Sequence, residues 1–124
     1  MVASYINKGD LFVITKADEE VGAILFVKHN HHTIELKNII INQTNRGRGY
    51  GKAVINELTP FYQQQGYRCM AVGTANSSID NIAFYQKAGF RLTTIKRDFF
   101  QQYAQPIYEH GIRARDLLWF EKLL

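Results

Sequence analysis

The feature that most constrains this chain is a change of hydrophobic rhythm just after Ile41. Before it, apolar residues come in runs of strand length: Leu11 to Thr15, Val21 to Val27, and Ile34 to Ile41. The third run alternates apolar and polar at first and then turns apolar throughout, as a strand does on entering a core covered on both faces. Beyond it the spacing becomes three and four, with Val54, Leu58, Phe61 and Gln65 on one face and Gly66 as terminator, which predicts a helix. Between the two rhythms lies Arg46-Gly47-Arg48-Gly49-Tyr50-Gly51-Lys52. A strand led through a glycine turn into a helix predicts a layered α/β fold.

The rest of the chain extends this reading. Lys16 to Glu20 predicts a hairpin loop, and Pro60 predicts a kink because it removes a helical hydrogen bond. Cys69 to Val72 reads as a short buried strand. Ile79 to Ala88 reads as a second helix, opened by a cap from Ser77 to Asp80 and closed by Gly89. Phe90 to Ile95 and Leu117 to Lys122 read as closing strands, which makes the order β-β-β-α-β-α-β-β with a mixed sheet. At 124 residues this is one domain, 1–124. Hydrophobic residues at 46% and charged ones at 21% exclude the disordered and fibrous classes. No apolar run reaches the ~20 residues of a membrane helix, and the start lacks a secretion pattern. The single cysteine, Cys69, forms no internal disulfide and in a buried strand is an inert thiol. Together these predict a cytoplasmic protein with no membrane partner.

Charge narrows the partner. Fifteen Lys and Arg against eleven Asp and Glu leave a net +4, and the densest cluster is Arg46, Arg48 and Lys52. Three of the nine glycines fall within the five residues 47–51. Glycines let backbone N–H groups approach a ligand, and a helix start adds unpaired donors and a positive dipole end. The segment is therefore a pyrophosphate cradle on physical grounds. A dinucleotide fingerprint needs its third glycine three positions after the second, but Gly51 follows Gly49 by two. A P-loop needs Ser or Thr after its lysine, and Lys52 is followed by Ala53. An arginine–glycine element stacking on RNA and a tight turn that binds nothing both stay open from the residues alone.

The pattern (Arg/Gln)-x-x-Gly-x-(Gly/Ala) is met by Arg46 to Gly51, and here the chain resembles the GNAT superfamily, the Gcn5-related N-acetyltransferases. A second segment, Val72 to Phe90, ends in Phe84-Tyr85-Gln86-Lys87-Ala88-Gly89-Phe90 and is similar to the other signature of that family. The likeness runs over about residues 10 to 97. It implies a mostly antiparallel GNAT-type sheet flanked by helices, and acetyl-coenzyme A as co-substrate. The cofactor would enter where the strand ending at Ile41 splays from the one ending at Val72. It implies pantetheine pairing with the backbone of Ile39, Ile40 and Ile41, and pyrophosphate held by Arg46, Gly47, Arg48, Gly49, Tyr50, Gly51 and Lys52. An amine then attacks the thioester directly.

The resemblance also implies individual roles. Tyr85 stands where the family places the acid for the departing thiolate; the plainer reading is an aromatic packed on its helix. Lys87 approaches the cofactor or is simply solvated. Ser78 occupies a position where the family often has Asn, so Asn76 or Asn81 is expected to make that contact. Glu35, eleven residues before Arg46, matches the base of some members, against a solvent-facing strand glutamate. No metal is expected; His29, His31 and His32 read as a hairpin tip.

The tail resembles a small bacterial subgroup with Ile107-x-Glu109-x-Gly111-Ile112 and then Arg115-Asp116. The resemblance implies that this loop lines the acceptor side, and its aromatics with Asp98, Glu109 and Asp116 suit a small cationic amine; the plainer reading is a packed loop with Arg115 and Asp116 in ion pairs. The start departs from the family: Ser4 to Lys8 resembles only the end of its second helix, so the usual first strand and most of the first two helices are expected to be missing. That leaves the Leu11–Thr15 edge open and predicts a homodimer or else an incomplete site with weak activity. The function expected is acetyl transfer to a primary amine of a small molecule. A non-catalytic acetyl-coenzyme A module and, behind it, a nucleic-acid binder are the alternatives; the main reading carries no nucleic acid.

Overall fold

The computed structural model describes residues 2–6 and 9–124. The chain divides into two compact units, Met1–Met70 with Leu123–Leu124, and Ala71–Lys122.

The first unit is an antiparallel run of four strands in the order β1 (Val2–Ile6), β2 (Gly9–Lys16), β3 (Glu19–Lys28), β4 (Thr33–Ile41). A single 3₁₀ turn at Gln43–Asn45 leads into helix α1 (Tyr50–Gln64). The expected helix end at Ser4–Lys8 is corrected: Ser4 to Ile6 belong to β1, while Asn7 and Lys8 lie outside the described residues. β1 pairs with Gly9 to Val13, so most of the β2 edge expected to be open is occupied, and the argument for a dimer on that edge is removed. The β2–β3 loop is shorter than expected. Ala17 and Asp18 alone form it, at φ +52° and +66°, the mirror-type turn that matches strand twist.

Helix α1 buries Gly51, Val54, Ile55, Leu58 and Tyr62 against Phe12, Ile24, Phe26 and Leu36 of the strands. The expected stripe was one residue off at its end: Tyr62 is fully buried, whereas Phe61 is 40% exposed. Tyr62 wins the inward place because its hydroxyl donates to Asp10 Oδ2 at 2.9 Å, which removes the cost of burying the polar tip. Its ring packs 4.9 Å from Phe26, and Phe61 lies edge-on to Phe12 at 5.7 Å. A ring buried as fully as Tyr62 or Phe26 contributes about 1.5–3 kcal/mol by leaving water. The helix runs through Pro60 and ends at Gly66, φ +95°, where Tyr67 N–H returns to the Tyr62 carbonyl.

The second unit holds strands in the order β5 (Cys69–Ala75), β9 (Leu117–Leu123), β6 (Arg91–Lys96), with helix α2 (Ile79–Lys87) between β5 and β6 in sequence. β6 and β9 are antiparallel. A separate small hairpin joins β7 (Tyr108–Glu109) and β8 (Ile112–Arg113). Val72, Tyr85, Phe90, Trp119 and Phe120 are buried in the core of this second unit. α2 closes as expected at Gly89, φ +97°, and Lys122 Nζ adds a hydrogen bond to the Ala88 carbonyl. Its opening differs. Ser78 is the N-cap residue, yet no side chain caps the helix; Ser77 and Ser78 hydroxyls donate instead to Glu109 Oε1. Cys69 is half-buried rather than buried. The fold class is the expected one: α/β, with mostly antiparallel strands and two α-helices.

Candidate functional site

The glycine turn is built as its composition requires. Gly47 and Gly49 both have φ near +78°, at +77° and +78°, where a side chain is strained. Nothing lies within 4 Å of where a Cβ would sit on either, so the space beside them is open. Gly49 is the N-cap of α1 and has no side chain to offer, so the first-turn N–H groups receive no side-chain acceptor. An exposed helix start with uncapped donors and adjacent cations has the chemistry an anion is attracted to.

The two arginines take different posts. Arg46 Nε donates to the Ile41 carbonyl at 2.9 Å, which pins the guanidinium to the end of β4 and leaves its outer N–H groups for a ligand. Arg48, Gly49 and Tyr50 line a cavity of 440 Å³ with Ile14, Lys16 and Glu57. Lys16 was missed in the sequence because it sits on β2, distant in chain order from the turn. Lys52 is exposed and Gly51 is buried in the first helical turn.

Ile39, Ile40 and Ile41 are not equivalent. Gly22 faces Ile41 and Ala23 faces Ile40, and Asn42 N–H donates to the Val21 carbonyl at 2.8 Å. Antiparallel alternation then turns the N–H and C=O of Ile40 toward β3 and those of Ile39 and Ile41 toward the opposite side of β4. Ile40 of the expected set therefore spends its backbone groups within the strand pair. A bulge upstream leaves Lys37 opposite no residue of β3.

Glu35 is partly buried, with its side chain 16% exposed, and lies 3.6 Å from Lys37 Nζ and 3.8 Å from His29 Nδ1. His29, His31 and His32 lie at the β3–β4 loop, where Asn30 Oδ1 accepts N–H bonds from His32 and Thr33. No group of three metal-ligating side chains occurs among the described residues.

In the second unit Tyr85 is 5% exposed, packed on Phe84, Phe90 and Phe120. Burial pushes its phenol up to about 12, so it stays protonated across the neutral range. No buried side-chain polar atom among the described residues lacks a partner, and no protein group bonds the Tyr85 hydroxyl, so that oxygen is the part left at the surface. Lys87 is exposed in the last turn of α2, where a cation favours the helix dipole.

Asn76 clamps the tail loop. Its Oδ1 accepts from Arg115 and Asp116 N–H at 2.8 and 3.0 Å, and its Nδ2 donates to the Arg113 carbonyl. Asn81 Nδ2 makes only a long contact, 3.4 Å, to Thr74 Oγ1. The tail loop is tied down further by Glu109 on the two serines, by His110 3.6 Å from Asp80, and by Asp98 N–H on Asp116 Oδ1. These partners lie 18 to 40 residues apart, and no local pattern announces them.

Comparison with known proteins agrees with this geometry. The family model described as an acetyltransferase (GNAT) domain matches residues 7–92. The chain belongs to the GNAT acetyltransferases. It is 32% identical over 119 residues to the uncharacterized N-acetyltransferase YvbK of Bacillus subtilis, covering 95% of this chain and 77% of that one. Among solved structures, a Bacillus subtilis acetyltransferase in complex with CoA superposes with a TM-score of 0.89 at 31% identity, over 97% of this chain and 80% of the other. A GNAT family acetyltransferase from Elizabethkingia anophelis with acetyl-CoA bound gives 0.87 at 30%, over 94% and 77%. Human N-acetyltransferase 8B is 25% identical, and the chain spans half of its length. No helix among the described residues is long and apolar enough to cross a membrane.

Proposed function

We propose that this protein transfers acetyl from acetyl-coenzyme A to a primary amine of a small molecule. The observation that carries the reading is the uncapped start of α1, with Gly47 and Gly49 in left-handed conformations and Arg46 pinned to β4. Two relatives at 30–31% identity hold acetyl-CoA or CoA, which supports the same ligand here. Both units belong to one acetyltransferase domain in this reading, and the family match includes residues of each.

The chemistry assigned is direct. A neutral amine attacks the thioester carbonyl, the new N–C bond forms, and the C–S bond breaks with its electron pair going to sulfur. The amine's proton passes to Glu35, directly or through water. Tyr85 donates a hydrogen bond to the departing sulfur. Full proton transfer from a phenol raised to about 12 to the thiolate is uphill, because an alkyl thiol is the stronger acid. Tyr85 therefore stabilises the thiolate without surrendering its proton, and water supplies the proton that yields the thiol. Asn81 and Lys87 remain as secondary cofactor contacts. The reading assigns the tail loop to the acceptor side.

Calorimetric titration with acetyl-coenzyme A, beside an Arg46→Ala/Arg48→Ala double variant, tests this. Wild-type binding that weakens at least about tenfold in the variant is expected, since each charge-assisted bond is worth roughly 1.5–3 kcal/mol. No binding by the wild type sinks the proposal. Binding without turnover on a panel of amines leaves a non-catalytic module, and steeply salt-dependent nucleic-acid binding that coenzyme A does not displace favours the other alternative.

A further inference from the structure

We propose that Gly22 is a positioning residue for the anion cradle, acting through β4 on Arg46; this rests on the turn being the coenzyme A site. Gly22 faces Ile41 across the β3–β4 pair, at a non-hydrogen-bonded position where backbones come closest. A Cβ on Gly22 would fall on the Ile40 carbonyl oxygen and lie 3.1 Å from Ile41 Cα. Both obstacles are backbone, so no side chain can swing aside to admit a methyl group. Any larger residue must push the last two residues of β4 away.

Those two residues are the mount of the turn. The Ile41 carbonyl accepts from Arg46 Nε at 2.9 Å. The next residue is gripped twice by β3: Asn42 N–H donates to the Val21 carbonyl at 2.8 Å, and Asn42 Nδ2 to the Glu20 carbonyl at 3.1 Å. Glu20 to Gly22 therefore hold the segment from which the chain departs for Arg46 and the glycines. Displacing Ile41 moves the acceptor that orients the guanidinium, and an anion site depends on where its donors point. Gly22 touches no ligand in this account; its effect travels through two backbone segments and one hydrogen bond.

The test compares Gly22→Ala with Gly9→Ala, which crowds the other end of β3: its Cβ would lie 2.9 Å from Leu25 Cδ1 and 3.1 Å from the Phe26 carbonyl oxygen. Two readouts are taken, coenzyme A affinity with stoichiometry by calorimetry, and the amide resonances of Gly47, Gly49 and Gly51 without ligand. Gly22→Ala is expected to shift those resonances and to weaken binding about tenfold at unchanged stoichiometry. Gly9→Ala is expected to lower the melting temperature while leaving affinity within about twofold and the resonances in place. In an Arg46→Ala background, Gly22→Ala should add less than about twofold, because its route is already cut. If Gly22→Ala does not fold, Asn42→Ala loosens the same segment from an exposed position, with resonance shifts and weaker binding again expected. Unshifted resonances with wild-type affinity, or a Gly22→Ala effect undiminished without Arg46, overturn the proposal. A wild type that binds no coenzyme A defeats the functional reading instead, and the ligand-free resonances still judge Gly22.

Discussion

Replacing Tyr85 by Phe separates catalysis from stability in a way the structure makes quantitative. The ring is 5% exposed and packs on Phe84, Phe90 and Phe120, and all of those contacts survive the substitution. The hydroxyl has no partner among the described residues, so its removal orphans none of them, and stability at pH 7 is expected to change by less than about 1 kcal/mol. The catalytic effect is different. A hydrogen bond to an anionic sulfur is worth roughly 1.5–3 kcal/mol, so kcat should fall about 10- to 100-fold. The KM for acetyl-coenzyme A should hold, because the bond strengthens only as charge develops on sulfur.

The pH behaviour gives an independent check. The folded-state phenol is raised to about 12 from an unfolded value of 10.0. The folded state therefore holds its proton more tightly. The stabilisation is fully present below pH 10 and is lost as pH climbs toward 12, by about 3 kcal/mol in all. Denaturant midpoints measured from pH 9 to 12 should show this loss in the wild type and a smaller one in Tyr85→Phe, where Tyr67, raised by burial and then by Asp10, still titrates. Steady-state kinetics that leave kcat of Tyr85→Phe within twofold of wild type would refute the sulfur contact. A stability loss of several kcal/mol at pH 7 would refute the claim that the hydroxyl is structurally idle.

Two more outcomes are expected. Asn76→Ala removes three hydrogen bonds to the backbone of residues 113, 115 and 116, at about 1 kcal/mol each, so amide exchange at Arg115 and Asp116 should accelerate and the melting temperature drop; protection equal to wild type would show that the clamp is dispensable. Glu35→Gln should lower kcat/KM at pH 7 at least about tenfold and recover as pH rises and free amine accumulates, whereas a rate unchanged at every pH would leave Glu35 as an ion-pair partner of Lys37 only.

How much of this was readable in advance depended on range. The glycine turn is local: its left-handed positions, its cations and its place before a helix are set within seven residues, and the structure has them where the pattern says. The end of α2 is local too, because Gly89 forces the reversal whatever surrounds it. The face of α1 was nearly legible, but Phe61 and Tyr62 are both plausible inward residues on periodicity alone. Asp10, far upstream in the chain, decided between them by offering the Tyr62 hydroxyl a partner.

The amino-acid sequence by itself determined the family, the α/β class and the composition of the cradle, since each rests on short-range spacing and backbone conformation. Only the tertiary structure decided what the polar side chains do. Asn76 clamps a loop because residues 113–116 return beside it. Ser77 and Ser78 abandon the helix cap because Glu109 arrives with a stronger, charged acceptor. Gly22 is a required glycine because β4 crosses it closely, and Ile40 turns its backbone groups to β3 because the register came out that way. A hydrogen-bond partner or a steric limit is a property of what comes near in space, and separations of tens of residues carry no local signal of it.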